Sequence, residues 1–385
     1  MADTPHAPHP TRPIHDPHLG LRVAAFSDAA GPTLVRLSFG GMARGLARAC
    51  AADIAALDGG ALQWRASEEG RVAATLSFEA AQQLAAEWQG APGLAAVGGE
   101  IARALAARSG ALQLADGRRL AYRPRPLIIG ILNLTPDSFY AASRASGKDA
   151  VARGLQMAEE GADLIDVGGE STRPGADPVS EQEERQRVVP AIRELVRAGA
   201  PPISIDSRKP GVARAALDEG AVMLNDVGGL SEPEMASLAA ERGVPTVVMH
   251  MRGTPATMQQ RPHYDDVIGE VLGELKARIN AAVAAGVAVE QLLVDPGIGF
   301  GKRAADNLAL LSSAGVFGML GPVMIGASRK SFLGTLLDVD SDDRLVGTLA
   351  AHAAAQLRGA DVLRVHDVAA AVQAATVVAA VRGGA

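Results

Sequence analysis

The chain has 385 residues, 48% hydrophobic and 21% charged, with a net charge of −6. That length leaves room for two or three domains, and an acidic balance gives no reason to expect nucleic acid as a partner. One cysteine, Cys50, excludes an intrachain disulfide and a cysteine-cluster zinc site and fits a cytoplasmic location; no apolar run approaches the roughly 18 residues of a membrane span.

Residues 1–19, rich in Pro and His, read as a disordered tail, with neither the apolar core of a signal peptide nor the Arg/Ser-rich character of a transit peptide. Its four histidines could alternatively bind a metal. Residues 20–122 read as a small α+β domain. Thr33–Phe39 patterns as a strand and Met42–Leu57 as a helix, and "ALQWRAS" and "RVAATLSF" flank a Glu-Glu-Gly turn. Two Ala-rich helical stretches follow, then a hairpin whose Asp116-Gly117 suits a two-residue turn. No catalytic constellation is visible there. Residues 123–126, in the Pro-punctuated run Tyr122-Arg-Pro-Arg-Pro126, read as an extended linker.

From Leu127 the pattern becomes regular. Eight short apolar runs alternate with helical patterns: 127–134, 164–169, 203–206, 223–227, 246–250, 292–297, 323–328 and 362–367. Runs that are apolar on both faces suit a parallel sheet covered by helices. Eight such units over about 250 residues match a TIM (β/α)8 barrel, so residues 127–385 read as a barrel domain. The alternative is a doubly wound open sheet, against which stands the lack of a Gly-x-Gly-x-x-Gly after the first strand.

Every run ends in polar or Gly residues, including Asn133, Gly168-Gly169-Glu170, Asp206, Asn225-Asp226, His250, Asp295 and Ser328. In a barrel these ends converge on the C-terminal mouth, where active sites are built. The last run ends in "RVHDV", so Arg364 and His366, two residues apart, point to the same face. Turned inward they would form an anion site at the barrel mouth; the plain alternative is a strand that has reached solvent.

The motifs "GILNLTPDSF", "DVGGESTRPGA", "SIDS" with "KP", "LNDV", "MHM", "DPGIGFGK", "GASRKSFLG" and "RVHDV" resemble, in order and spacing, those of dihydropteroate synthases across residues 127–381. The resemblance implies condensation of 6-hydroxymethyl-7,8-dihydropterin pyrophosphate with para-aminobenzoate to give 7,8-dihydropteroate and pyrophosphate. Two alternatives are a pterin-dependent methyltransferase module, which would release no pyrophosphate, and a catalytically inactive pterin-binding barrel.

The resemblance also implies roles for single residues. Asp206, Asn225, Asp295 and Lys330 would read the polar edge of the pterin and carry the catalytic arrangement, and Met249 and Phe300 would pack on its ring. Asn133, Arg364 and His366 would hold the pyrophosphate, with Asn133 also touching Mg2+. Thr172, Arg173, Pro174 and Ser328 would form the para-aminobenzoate pocket, which sulfonamides would also enter. Two loops, Thr135 to about Gly147 and Ser171 to about Val179, would close over the substrates. The first departs from the family pattern: "YAASRASG" follows "DSF" where the family has a Ser-Asp-Gly-Gly type sequence. Family barrels pair through late helices, and the Ala-rich segments near the C-terminus suit a homodimer.

Other features have plainer readings. His250 is expected to be a structural strand-end histidine rather than a metal ligand, and "EQEERQR" (181–187) a solvated helix face. "DVDSDDR" (338–344) reads as a surface loop capping the next helix at Ser341 or Asp342.

Overall fold

The computed structural model describes residues 22–26, 34–39, 44–57, 61–66, 72–91, 94–106, 110–122, 124–135, 146–171, 177–340 and 342–381. The chain divides into two compact units, residues 1–108 and 109–385.

The first unit is α+β. Strands β1 (Arg22–Phe26) and β2 (Leu34–Phe39) precede helix α1 (Arg44–Ala55); β3 (Ala61–Ala66) and β4 (Val72–Ser77) precede α2 (Phe78–Gln89) and α3 (Ala95–Ala106). The strands form an antiparallel sheet in the order β1-β2-β4-β3. Cys50, Ile54, Leu76, Leu84, Trp88 and Ile101 form its core. The Trp88 indole, an amphipathic side chain, satisfies its N–H by donating to Asp53 Oδ2 at 2.8 Å.

The second unit opens with a hairpin, β5 (Ala111–Gln113) and β6 (Arg119–Ala121). Its turn has three residues rather than the expected two. Leu114 N–H donates to Arg118 O at 2.9 Å, and Gly117 takes φ +87°, a left-handed conformation that glycine enters without steric cost. The hairpin clusters with the barrel and not with the first unit, so the division falls at 108/109 instead of the expected 122. The reason is apolar contact. Leu112 and Tyr122 pack on residues at or near strand starts, Leu127, Leu164, Met223 and Val362 among them. The hairpin thereby covers the N-terminal end of the barrel.

The barrel strands are β7 (Leu127–Asn133), β8 (Leu164–Gly168), β9 (Ile203–Asp206), β10 (Met223–Asp226), β11 (Thr246–Met249), β12 (Leu292–Asp295), β13 (Met324–Ile325) and β14 (Val362–Val365). All pair in parallel, in the order β12-β11-β10-β9-β8-β7-β14-β13, and a parallel bridge between Val294 and Val323 closes the ring. This is the expected TIM barrel. Strands β8 to β13 are buried throughout, as a sheet covered on both faces requires.

The covering helices are α4 (Ser146–Glu159), α5 (Glu181–Arg197), α6 (Pro210–Asp218), α7 (Pro233–Arg242), α8 (Val267–Ala284), α9 (Ala304–Ser312), α10 (Ala314–Phe317), α11 (Ser331–Leu337), α12 (Leu345–Leu357) and α13 (Val368–Val381). Local sequence sets their ends. Ser180 Oγ caps α5 by accepting from Glu183 N–H at 3.2 Å; α7 starts on Pro233 and stops at Gly243, φ +57°. The expected cap of α12 lies elsewhere: a 3-10 turn, Asp342–Arg344, precedes the helix, and its N-cap is Arg344. Nor is "EQEERQR" wholly a solvated face. Glu184 is fully buried in register with Val188, Ile192 and Leu195, and Arg187 Nη1 donates to Gly169 O at 2.7 Å.

Candidate active site

Parallel register sets strand ends side by side at the C-terminal mouth. Asn133 pairs with Gly168, Gly168 with Asp206, and Asp206 with Asn225; on the next strands round the ring Met249 pairs with Asp295. Gly168 lies between two of these polar ends; a Cβ on it would make ordinary contact with Asp206 Cβ at 3.4 Å and Asn133 Oδ1 at 3.6 Å.

Arg364, in β14, turns into the barrel. Its Nη2 donates to Asp206 Oδ2 at 2.6 Å and its Nε to Asp166 Oδ2 at 2.6 Å. The same Asp166 oxygen accepts from Asn225 Nδ2 at 2.8 Å. Asp166 lies in mid-strand β8, 1% exposed, and sequence reasoning passed over it. Burial pushes the Asp206 carboxyl up to about 7, against the pull of the Arg364 cation and with a further push from the Asp166 charge. Arg364 therefore faces inward, the first of the two orientations left open by the sequence, with two carboxylates as its protein partners.

Asp295 is buried at the end of β12 and accepts from Gly297 N–H at 2.7 Å. Burial raises its carboxyl above the usual range, while the nearby Lys330 opposes that. Lys330 donates to the Ile298 carbonyl, and its Nζ sits 4.3 Å from the centre of the Phe300 ring. Burial lowers this ammonium to about 8. Met249 packs with Val227, Met251 and Met258, and Phe300 lies against that cluster, so the two expected ring-packing residues share one apolar wall. Asp226, beside Asn225, spends both oxygens on its own turn, accepting from Gly228 N–H at 2.7 Å and Leu230 N–H at 2.8 Å.

Ser328 and His366, expected in separate subsites, touch. Ser328 Oγ is 3.0 Å from His366 Nδ1 and accepts from His366 N–H at 3.2 Å. Asp367, beside His366, takes Arg329 in a two-pronged ion pair at 2.9 and 2.7 Å.

His250, just past the end of β11, is fully buried. It is 3.0 Å from Glu274 through Nε2 and 3.0 Å from Lys302 Nζ through Nδ1, a structural role consistent with the expectation from sequence. Burial, with the Lys302 charge adding, lowers its imidazole to about 3. Lys302 also donates to Phe300 O at 3.0 Å, which ties the β11 end to the loop after β12. Neither Lys302 nor Glu274 was singled out from sequence; "GFGK" was the available signal for the first.

Glu170, just past β8, accepts from Val179 N–H at 3.0 Å and pairs with Arg208 at 3.1 Å and Lys209 at 3.2 Å. It thus joins the two ends of the second loop. Thr172, Arg173 and Pro174 lie outside the described residues, as do residues 136–145 of the first loop. Thr135 is buried. Among the described residues no group of three or more His, Cys, Asp or Glu side chains is placed to hold a metal.

A phosphate-charged, donor-rich heterocycle suits this mouth: buried acceptors at its base, an apolar wall at one side, cations beside them. The chain belongs to the family described as pterin binding enzyme, whose profile matches residues 129–366. A curated relative, the dihydropteroate synthase of Escherichia coli strain K12, is 46% identical over 257 residues, covering 66% of this chain and 91% of the relative. The solved Xanthomonas albilineans dihydropteroate synthase with 4-aminobenzoic acid is 48% identical with a TM-score of 0.67, covering 71% of this chain and 98% of the other. The same enzyme in complex with 7,8-dihydropteroate has 45% identity, a TM-score of 0.64 and coverage of 71% and 98%.

Proposed function

We infer that this chain is a dihydropteroate synthase, a transferase of folate biosynthesis. It condenses 6-hydroxymethyl-7,8-dihydropterin pyrophosphate with para-aminobenzoate, giving 7,8-dihydropteroate and pyrophosphate. The observation that carries this reading is the convergence of Asp206, Asn225, Asp295, Lys330 and Arg364 at one barrel mouth, in a chain 46% identical to a dihydropteroate synthase over its barrel.

The residue types suit the chemistry. The amino and ring N–H groups of a pterin need acceptors, which Asp206, Asn225 and Asp295 supply, while Lys330 donates to the ring's acceptor side. Met249 and Phe300 cover its apolar area. The C–O bond of the pterin methylene breaks, pyrophosphate leaves with the electron pair, and the ring system stabilises the resulting cation. The arylamine nitrogen forms the new C–N bond and its surplus proton is released. No strong general base is needed, so the protein contributes leaving-group stabilisation and alignment. Arg364 and His366 would take the leaving pyrophosphate, Arg364 through Nη1, which lies outside its contacts to Asp166 and Asp206. Thr172, Arg173, Pro174 and Ser328 would receive the arylamine, and sulfonamides would compete there.

Magnesium fits the donor set in one way. Asn133, half-buried at the end of β7, offers a single neutral oxygen, and Mg2+ commonly completes its shell with substrate phosphates and water. Bound there with the substrate, it would neutralise charge on the departing pyrophosphate.

No helix among the described residues is long and apolar enough to cross a membrane, which is compatible with the cytoplasmic location expected for this activity. A homodimer through α12 and α13 is supported by Val346, Val377 and Val381, exposed at 77%, 63% and 78%. Sedimentation of the purified chain tests it.

The functional test is direct. The full chain mixed with both substrates and Mg2+ should form dihydropteroate and pyrophosphate in equal amounts, and Asp206→Ala and Lys330→Ala should each abolish most of this. Unchanged turnover in both variants contradicts the assignment.

A further inference from the structure

Asp166 stands apart from the residues assigned above. It is 1% exposed in the middle of β8, a strand otherwise apolar, and no substrate role has been given to it. A carboxylate in such a place is expensive unless it is paired. Here one oxygen, Oδ2, is paired twice: with Arg364 Nε at 2.6 Å and with Asn225 Nδ2 at 2.8 Å.

We propose that Asp166 is a positioning residue that fixes Asn225 and Arg364 relative to one another, locking the reader of the pterin edge to the cation that meets the leaving group. This rests on the pterin site inferred above. The chemistry of the pair decides the orientation of Asn225. An ionised carboxylate only accepts, so the amide must present its NH2 to Asp166 and keep its carbonyl oxygen for another donor. That oxygen, Asn225 Oδ1, is buried with no hydrogen-bond partner among the described residues. A buried acceptor without a donor is costly, and the ring N–H of a bound pterin is the donor that would satisfy it.

The second contact acts on Arg364. Asp166 holds the guanidinium by Nε while Asp206 holds it by Nη2, which leaves Nη1 outside both contacts. When a pterin engages Asp206 and displaces that arm, the Nε contact to Asp166 keeps the guanidinium in the barrel mouth. Asp166 touches neither substrate in this scheme. It acts through the two side chains that do.

The test uses the full chain and 6-hydroxymethylpterin, which lacks the leaving group, as a binding probe by calorimetry, beside steady-state kinetics. Asp166→Ala should weaken the probe about tenfold or more and lower kcat, while the KM for para-aminobenzoate stays within about twofold. Asp166→Asn, isosteric and still able to offer one amide oxygen, should recover part of both losses and remains informative if the alanine variant does not fold. In an Asn225→Ala background, Asp166→Asn should cost the probe clearly less affinity than it does alone, because one of its two targets is gone. Wild-type probe affinity and kcat in Asp166→Asn overturn the proposal, as do fully additive losses with Asn225→Ala. Absence of turnover in the wild-type chain would instead strike the synthase assignment.

Discussion

Arg364 Nη2 lies 2.6 Å from Asp206 Oδ2, so the cation expected to meet pyrophosphate is held by a carboxylate expected to meet the pterin. The pair sets the ionisation of the site. Burial raises Asp206 to about 7, the Arg364 charge holds it from going higher, and Asp166 pushes it up. Arg364→Met should therefore move the titration governing pterin binding to higher pH, and weaken pterin affinity at pH 7 by about tenfold or more. Probe affinity measured from pH 5 to 9 reads both. An unshifted midpoint in the variant contradicts the coupling.

The buried histidines predict an acid-labile barrel. Burial lowers His250 to about 3 and His352, whose Nε2 accepts from Ala327 N–H at 3.2 Å, to about 4. Both folded values lie below the ordinary histidine value, so between them the unfolded chain binds more protons. The stabilising contribution is thus present above about 6.5 and is lost as pH falls toward 4 and 3. Each histidine should cost about 2 kcal/mol between pH 7 and 5. Urea midpoints across that range measure the slope, and His352→Gln should flatten it; an equal slope in wild type and variant contradicts the assignment of the titration.

Gly297 is required by its surroundings. It takes φ +71°, and a Cβ there would collide with the His250 carbonyl oxygen. Its N–H also orients Asp295. Gly297→Ala should add about 1–3 kcal/mol of backbone strain and displace the Asp295 turn, lowering both Tm and turnover. A variant with wild-type Tm and kcat would show that the loop relaxes without cost.

Glu170 joins Val179 N–H to Arg208 and Lys209 across the ends of the second loop. Because the arylamine residues expected on that loop lie between those ends, Glu170→Gln should raise the KM for para-aminobenzoate by about threefold to tenfold and leave pterin affinity nearly unchanged. Kinetics with each substrate varied in turn separate the two, and an equal change in both would argue for general loosening.

The eight barrel strands were legible because parallel strands covered on both faces are short, apolar and end in polar residues. The residues at their ends follow from the period of two and the common direction. Partners across the ring did not follow, since sequence carries no distance between β8 and β14; hence Arg364 was placed inward without its carboxylates. Asp166 left a signal that went unused: a single charge inside an otherwise apolar strand. Glu184 left another, standing in register with Val188, Ile192 and Leu195 while its neighbours made the segment look fully solvated. Chain proximity groups the hairpin β5–β6 with the preceding domain, whereas burial of Leu112 and Tyr122 against the barrel strand starts, a contact distant in sequence, ties it to the barrel.

The most direct test of the account is a coupled measurement on the purified full chain with pterin pyrophosphate, para-aminobenzoate and Mg2+. Dihydropteroate and pyrophosphate should appear in equal amounts, sulfonamide should suppress both, and Asp206→Ala should remove both. Pyrophosphate release without dihydropteroate, or no product of either kind from folded protein, would contradict it.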